Sequence, residues 1–121
     1  MKRRDTGQLG EKLARDYLKK HGYRILETNY RCREGEIDIV ARQKDYLVFI
    51  EVRTKTSRQF GTPAESITPT KQAHMIATAF QYRQTHEDLP QLWRIDVVSV
   101  ELDNKGKAAR IELIENAVSE S

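Results

Sequence analysis

Leu9, Leu13, Ala14, Tyr17 and Leu18 recur at helical spacing and predict a helix between Thr6 and Lys20. Gly22 follows as its stop, with Lys19, Lys20 and His21 in the last turn. Tyr23 to Tyr30 then reads as a short strand, Arg31 to Gly35 as a loop, and 36–42 and 46–54 as two further strands. Phe60 to Pro69, rich in Gly, Thr and Pro, reads as a loop. Thr68 and Pro69 open a second helix as N-cap and first helical residue. Ala73, Ile76, Ala77 and Phe80, extended to Gln84, trace one face of it, and Leu89-Pro90 ends the segment. Arg94 to Leu102 is a fourth strand. Asp103-Asn104-Lys105-Gly106 makes a hairpin turn into a last strand near 110–115, with a frayed tail from Asn116.

The order α-β-β-β-α-β-β predicts an α/β fold, a mixed five-stranded sheet flanked by helices. The strand–helix–strand passage between 46 and 102 reads as a right-handed crossover joining a parallel pair. With 121 residues and no repeat, low-complexity tract or linker, the chain is expected to be a single domain over 1–121.

The hydrophobic fraction of 38% and charged fraction of 32% indicate a soluble protein with a modest core. No apolar run approaches the roughly 20 residues of a membrane helix. MKRRDTGQ lacks the apolar segment of a signal peptide, and the single cysteine, Cys32, excludes an internal disulfide. The expectation is a cytoplasmic protein with no membrane partner. Net charge is +3, and its distribution is uneven: residues 1–34 carry ten Lys/Arg against five Asp/Glu, and 101–121 carry three against five. A basic N-terminal third suits a phosphate backbone as partner; a solvated basic surface accounts for it equally well.

The stretch GEIDIVARQKDYLVFIEVRTK, residues 35–55, sets carboxylates within apolar strands. By alternation, Glu36, Asp38 and Val40 share one face of their strand, and Ile37, Ile39 and Ala41 the other. In the next strand, Leu47, Phe49, Glu51, Arg53 and Lys55 share a face. A two-residue turn at Lys44-Asp45 pairs Gln43 with Tyr46 and puts Asp38 opposite Glu51. Like charges so placed repel. Arg53 and Lys55 could neutralise them, or a hard divalent cation could sit between them; spacing leaves both open. Glu11, at the edge of the first helix's apolar stripe, would complete such a site, or is an exposed first-turn glutamate.

Asp38, then twelve residues, then Glu51-Val52-Arg53 resembles the core motif of the PD-(D/E)XK nuclease superfamily. More closely, the chain resembles the YraN-like family of uncharacterised bacterial proteins. The matching pieces are Gly10-Glu11 with Ala14 and Leu18, Asn29-Tyr30-Arg31, Gly35 to Asp38, Phe49 to Arg53, Phe60-Gly61, Lys71, and Asp96-Val97-Val98. The resemblance implies a restriction-endonuclease-like three-layer fold similar to archaeal Holliday junction resolvases. It implies catalytic residues Glu11, Asp38, Glu51 and Arg53. Asp38 and Glu51 would hold Mg²⁺ or Mn²⁺, with Glu11 direct or through water and the Val52 carbonyl as a further candidate ligand. The activity implied is hydrolysis of phosphodiester bonds in structured or branched DNA during repair or recombination, leaving 5′-phosphates.

Arg53 stands where the superfamily usually has lysine. An arginine is always protonated and cannot act as a base, but it can hold a phosphate. The alternative function is therefore a nuclease-fold module that binds nucleic acid or a protein partner without cutting; a plain assembly subunit is a third reading. Arg31, Arg33, Arg53, Lys55, Arg58 and Lys71, with Lys2-Arg3-Arg4, are the candidates for tracking a DNA backbone, and 56–62 reads as a flap or a plain connection. Resolvases act as symmetric dimers, so a homodimer is implied; Trp93 and Tyr82 read as core or interface residues, and their exposure would be the one dimer surface the sequence offers. His21, His74 and His86 have no metal-ligand spacing. Asp96, between Ile95 and Val97, is a buried-strand carboxylate, a candidate support for Arg53 or another cation.

Overall fold

The computed structural model describes residues 3–56 and 67–118. In chain order these form helix α1 (Arg3–Lys20), strands β1 (Arg24–Cys32), β2 (Gly35–Gln43) and β3 (Tyr46–Thr56), helix α2 (Pro69–Thr85), and strands β4 (Leu92–Leu102) and β5 (Ala108–Val118). The strands make one mixed sheet, also in chain order. β3 and β4 pair parallel, with α2 in the connection between them, and the other neighbours pair antiparallel. The element order and the α/β class are those read from the sequence. With α1 over one face and α2 over the other, the molecule has three layers, consistent with a nuclease-like fold.

Each helix has a local reason for its ends. After α1, Gly22 takes φ 86°. Its N–H bonds to the Lys19 carbonyl at 3.3 Å, and the Tyr23 N–H returns to the Leu18 carbonyl at 2.9 Å. This is a Schellman stop, and Leu18 and Tyr23 also share the same core. At α2, the Thr68 hydroxyl accepts from the Lys71 N–H at 3.1 Å, and Pro69 occupies the first helical position.

Two apolar layers sandwich the sheet. Ala14 and Leu18 of α1 pack with Ile39, Ala41, Val48, Ile50, Val98 and Val100. Met75, Ala79 and Tyr82 of α2 pack with Val40, Leu47, Phe49, Ile95 and Val97. The face of α2 that turns inward is thus not the expected one. Ala73 and Phe80 are exposed, and Ile76 and Ala77 half-buried. Two stripes on this helix share the same spacing. The buried one contains Thr78, whose hydroxyl bonds to the His74 carbonyl at 2.7 Å and so enters the core without an unmet donor. Tyr82, read as a core or interface residue, is core: it is 3% exposed.

Three boundaries also move. β1 runs on to Cys32 and β2 begins at Gly35, so the expected loop 31–35 tightens to a turn at Arg33-Glu34. β5 continues to Val118, which pairs with Ile95 and is buried, so the frayed tail from Asn116 is corrected. The Asp96 carboxylate accepts the Asn116 N–H at 2.9 Å and ties that end down. Residues 57–66, which include most of the expected flap and Arg58, lie outside the described residues.

One local irregularity positions the site. Strict alternation puts Ile37 with Ile39 and Ala41. Instead Ile37 packs on the α2 side with Val40, while Ile39 and Ala41 pack on the α1 side. The alternation therefore reverses at Asp38. Its neighbour in β1 is Asn29, which lies between the pairs Thr28–Ile39 and Tyr30–Ile37 and has φ 53°. The β2–β3 ladder ends at the same place, with Ile39–Ile50.

Candidate functional site

The β2–β3 register is the expected one. Gln43 pairs with Tyr46, Arg42 with Leu47, Ala41 with Val48, Val40 with Phe49 and Ile39 with Ile50. Lys44 turns the hairpin at φ 54°. Asp38 and Glu51 are the next positions beyond the last laddered pair. There the strands part, and the Asp38 carboxylate substitutes for a ladder carbonyl by accepting the Val52 N–H at 2.8 Å. A backbone hydrogen bond thus fixes the side chain of a residue that regular pairing would have left to the pleat.

Two glycines bring the helices to this point. A Cβ on Gly10 would overlap the side chain of Thr54, so only glycine lets α1 lie this close to β3. Glu11 follows directly and is half-buried. On the other face, Gly35 has φ 151°, and a Cβ there would sit 3.0 Å from the Thr78 hydroxyl of α2. The two motif glycines are therefore contact points for the two helices.

The result is a cavity of about 530 Å³ at the parting of β2 and β3. Thr6, Gly7 and Glu11 wall it from α1, Asp38 from β2, and the stretch from Glu51 to Thr56 from β3. The Glu51 side chain is only 8% exposed, and its Oε1 lies 3.7 Å from Lys71 Nζ and 3.9 Å from Arg53 Nε. Lys71 comes from the first turn of α2, so both helices and both strands deliver charge to one place.

Electrostatically the site is short of positive charge at Asp38. Burial, then the neighbouring Glu51 carboxylate, pushes the Asp38 carboxyl up to about 7; the Val52 N–H opposes this, and Glu11 and Glu36 add to it. Glu51 is also raised, chiefly by burial, with Lys71 and Arg53 pulling the other way. The salt-bridged reading therefore holds for Glu51, which has two cations near it. Asp38 instead feels Glu51, Glu11 and Glu36 as repulsion. Among the described residues no three His, Cys, Asp or Glu side chains close into a ready-made metal cage. The donors on offer are a carboxylate pair with Glu11 nearby, which suits a Mg²⁺ ion that keeps waters and takes phosphate oxygens as further ligands.

Of the residues singled out in the sequence, Glu11, Asp38, Glu51, Arg53 and Lys55 line one cavity, and Lys71 reaches it through Glu51. Arg31 and Arg33 are exposed in the β1–β2 hairpin, and Arg31 pairs with Glu36 at 3.0 Å. Of the two partners expected for Asp96, Arg53 or another cation, the structure shows another cation, Arg94. Asp96 is fully buried, paired with Arg94 at 3.0 Å and bonded to the Tyr23 hydroxyl and the Asn116 N–H. Glu36 lies two residues before Asp38 and carries no motif signal, yet its charge acts on both Asp38 and Glu51. The Gly10–Thr54 contact carries no sequence signal beyond the glycine itself.

Over residues 10–100 the chain matches the family described as Uncharacterised protein family UPF0102. It belongs to this family, the YraN-like proteins. A UPF0102 protein of Dehalococcoides mccartyi is 54% identical over 120 residues, which cover 98% of this chain and 96% of that one. Relatives from Caldicellulosiruptor bescii and Moorella thermoacetica are 44% and 47% identical, over 97% of this chain in each case and 99% and 98% of their own lengths. The span matched to UPF0102 opens at Gly10, the residue that seats α1 on β3, and contains every cavity residue named above except Thr6 and Gly7. No helix among the described residues is long and apolar enough to cross a membrane.

Proposed function

We propose that this UPF0102 protein is a divalent-cation-dependent nuclease acting on structured or branched DNA. The observation that carries the reading is the pair Asp38–Glu51: a half-buried and a buried carboxylate on one cavity, both pKa values raised chiefly by burial, with Arg53 and Lys55 in the same lining. A cluster of this kind with perturbed titration is a functional-site candidate with a physical rationale. Asp38 and Glu51 would hold Mg²⁺ or Mn²⁺, with Glu11, which lines the same cavity from α1, as a further ligand direct or through water. The ion would supply the Lewis acidity that activates the attacking water and polarises the phosphate.

The chain's own residues divide the remaining work. The Val52 N–H holds Asp38 in place. Arg53 and Lys55 offer cationic donors to the scissile phosphate, and Arg53, always protonated, can stabilise developing negative charge but not take a proton. Arg31 and Arg33, exposed in the hairpin, would contact the backbone away from the reacting phosphate.

Arg53 also supports a second reading, a module of the same fold that binds DNA without cutting, because the residue usual for activating water is absent. The test is cleavage of single-stranded, duplex, flap and four-way DNA with Mg²⁺ or Mn²⁺, alongside Asp38→Ala and calorimetry of metal binding. Cleavage lost in Asp38→Ala supports the nuclease. Metal and DNA binding without cleavage supports the module, and absence of both metal binding and cleavage sinks the nuclease.

A further inference from the structure

Glu51 Oε1 is shared by two cations of different kinds. Arg53 approaches along its own strand, with its guanidinium 3.9 Å away, and Lys71 approaches from α2, with its ammonium 3.7 Å away. Both distances exceed the roughly 2.7–2.9 Å of a locked charge-assisted hydrogen bond. The lysine's backbone is fixed, because its N–H bonds to the Thr68 cap. Its ammonium rides on a flexible four-carbon stem, whereas arginine presents a rigid fork. The Lys71 side chain is 32% exposed, so it has somewhere else to go.

A divalent ion on Glu51 and an ammonium within 4 Å of the same oxygen repel one another, and the Coulomb cost at that distance is several times thermal energy even at an effective dielectric of about 20. Of the two side-chain cations at this oxygen, Lys71, on its flexible stem, is the one that yields more readily.

We propose that Lys71 is the resident cation of Glu51 in the metal-free protein, and that it leaves for a substrate phosphate when a divalent cation takes its place. This rests on the cation-binding reading of Asp38 and Glu51 given above. It makes Lys71 a positioning residue with two stations. In the metal-free state it competes with the incoming ion and contributes nothing to DNA binding. In the metal-loaded state it is released beside the reacting phosphate as a mobile donor, next to the permanently charged Arg53. An ammonium on a movable stem thereby supplies, from the opposite layer of the molecule, the lysine that the motif strand lacks.

The experiment is isothermal titration of Mn²⁺ into the full chain without DNA, comparing wild type, Lys71→Gln, Lys71→Arg and Lys55→Gln, with Asp38→Ala as the control for the site itself. DNA affinity for a non-cleaved duplex is then measured by anisotropy in EDTA and in Ca²⁺. The expected result is Mn²⁺ affinity raised about three- to tenfold in Lys71→Gln and unchanged in Lys71→Arg, with a smaller change in Lys55→Gln. Lys71→Gln should weaken DNA binding in Ca²⁺ and not in EDTA. Unchanged or weaker Mn²⁺ affinity in Lys71→Gln, with binding still abolished by Asp38→Ala, overturns the two-station role and leaves the cation site standing. No Mn²⁺ binding by wild type or by Lys71→Gln overturns both.

Discussion

The backbone N–H of Val52 donates to Asp38 Oδ2 across 2.8 Å, just past the last pair of the β2–β3 ladder. The bond holds the carboxylate where burial and three like charges oppose its ionisation. Its folded pKa of about 7, against an ordinary 3.8, means that the folded state binds the proton more firmly than the unfolded state. Stability therefore falls as pH rises from about 4 to about 7 and stays reduced above that. Asp38→Asn keeps an acceptor for Val52 and removes the charge. In metal-free buffer it should exceed wild type in stability by about 1–3 kcal/mol at pH 8, with the gap closing toward pH 4. Urea denaturation across that range is the measurement. A gap independent of pH would mean that Asp38 is not held against repulsion.

Gly10→Ala should be costly although the change is one methyl group. The new Cβ meets the Thr54 side chain of β3, not open space. Overpacking of this kind costs about 1–3 kcal/mol, which lowers Tm by about 4–10 °C for a chain of this size. Thr54→Ala in the same chain should recover part of the loss. Gly7→Ala, where a Cβ meets nothing within 4 Å, is the control and should hold Tm or raise it.

The two faces of α2 make opposite predictions. Met75 is 1% exposed, so Met75→Ala should cost about 2–4 kcal/mol. Phe80 is 57% exposed, so Phe80→Ala should cost under about 1 kcal/mol despite removing the larger side chain. Equilibrium denaturation of the two variants decides between the observed face and the one that apolar spacing favours.

That helix shows where the sequence stopped being informative. Period and capping residues placed α1, α2 and all five strands in order, because local propensity and tertiary structure agree there. The hairpin register also followed from the chain, since Lys44-Asp45 leaves few ways to close two apolar strands. The face of α2 did not, because Ala73, Ile76, Ala77 and Phe80 match Met75, Thr78, Ala79 and Tyr82 in spacing. The buried set is chosen by Gly35 and by a hydroxyl satisfied within the helix. The reversal at Asp38 was hidden for a similar reason. It depends on Asn29 adopting positive φ in the neighbouring strand, a relation between residues nine apart in sequence that alternation cannot register. Among the candidate site residues, the carboxylates were legible from the motif. The Lys71–Glu51 contact required the packing of α2 against the sheet.

Asp96 contrasts with the half-buried Asp38. It is fully buried, yet Arg94 Nε lies 3.0 Å from Oδ1, and the Tyr23 hydroxyl and Asn116 N–H also reach it. The Arg94 guanidinium in turn lies over the rings of Tyr46 and Tyr23 and donates to Gln43. These contacts, with Glu115 3.9 Å from Arg94, tie the start of β1 to β4 and β5. Asp96→Ala removes the close carboxylate partner of Arg94, whose side chain is 11% exposed, leaves it the longer contact to Glu115 at 3.9 Å, and should cost about 3–5 kcal/mol. Tyr23→Phe removes one hydroxyl and should cost about 0.5–1.5 kcal/mol. Neither change touches the cavity at Asp38, so Mn²⁺ affinity measured on the folded Tyr23→Phe protein should equal that of wild type. A drop in that affinity would show that the two carboxylate clusters communicate through β3 and β4, and would overturn their assignment to separate tasks.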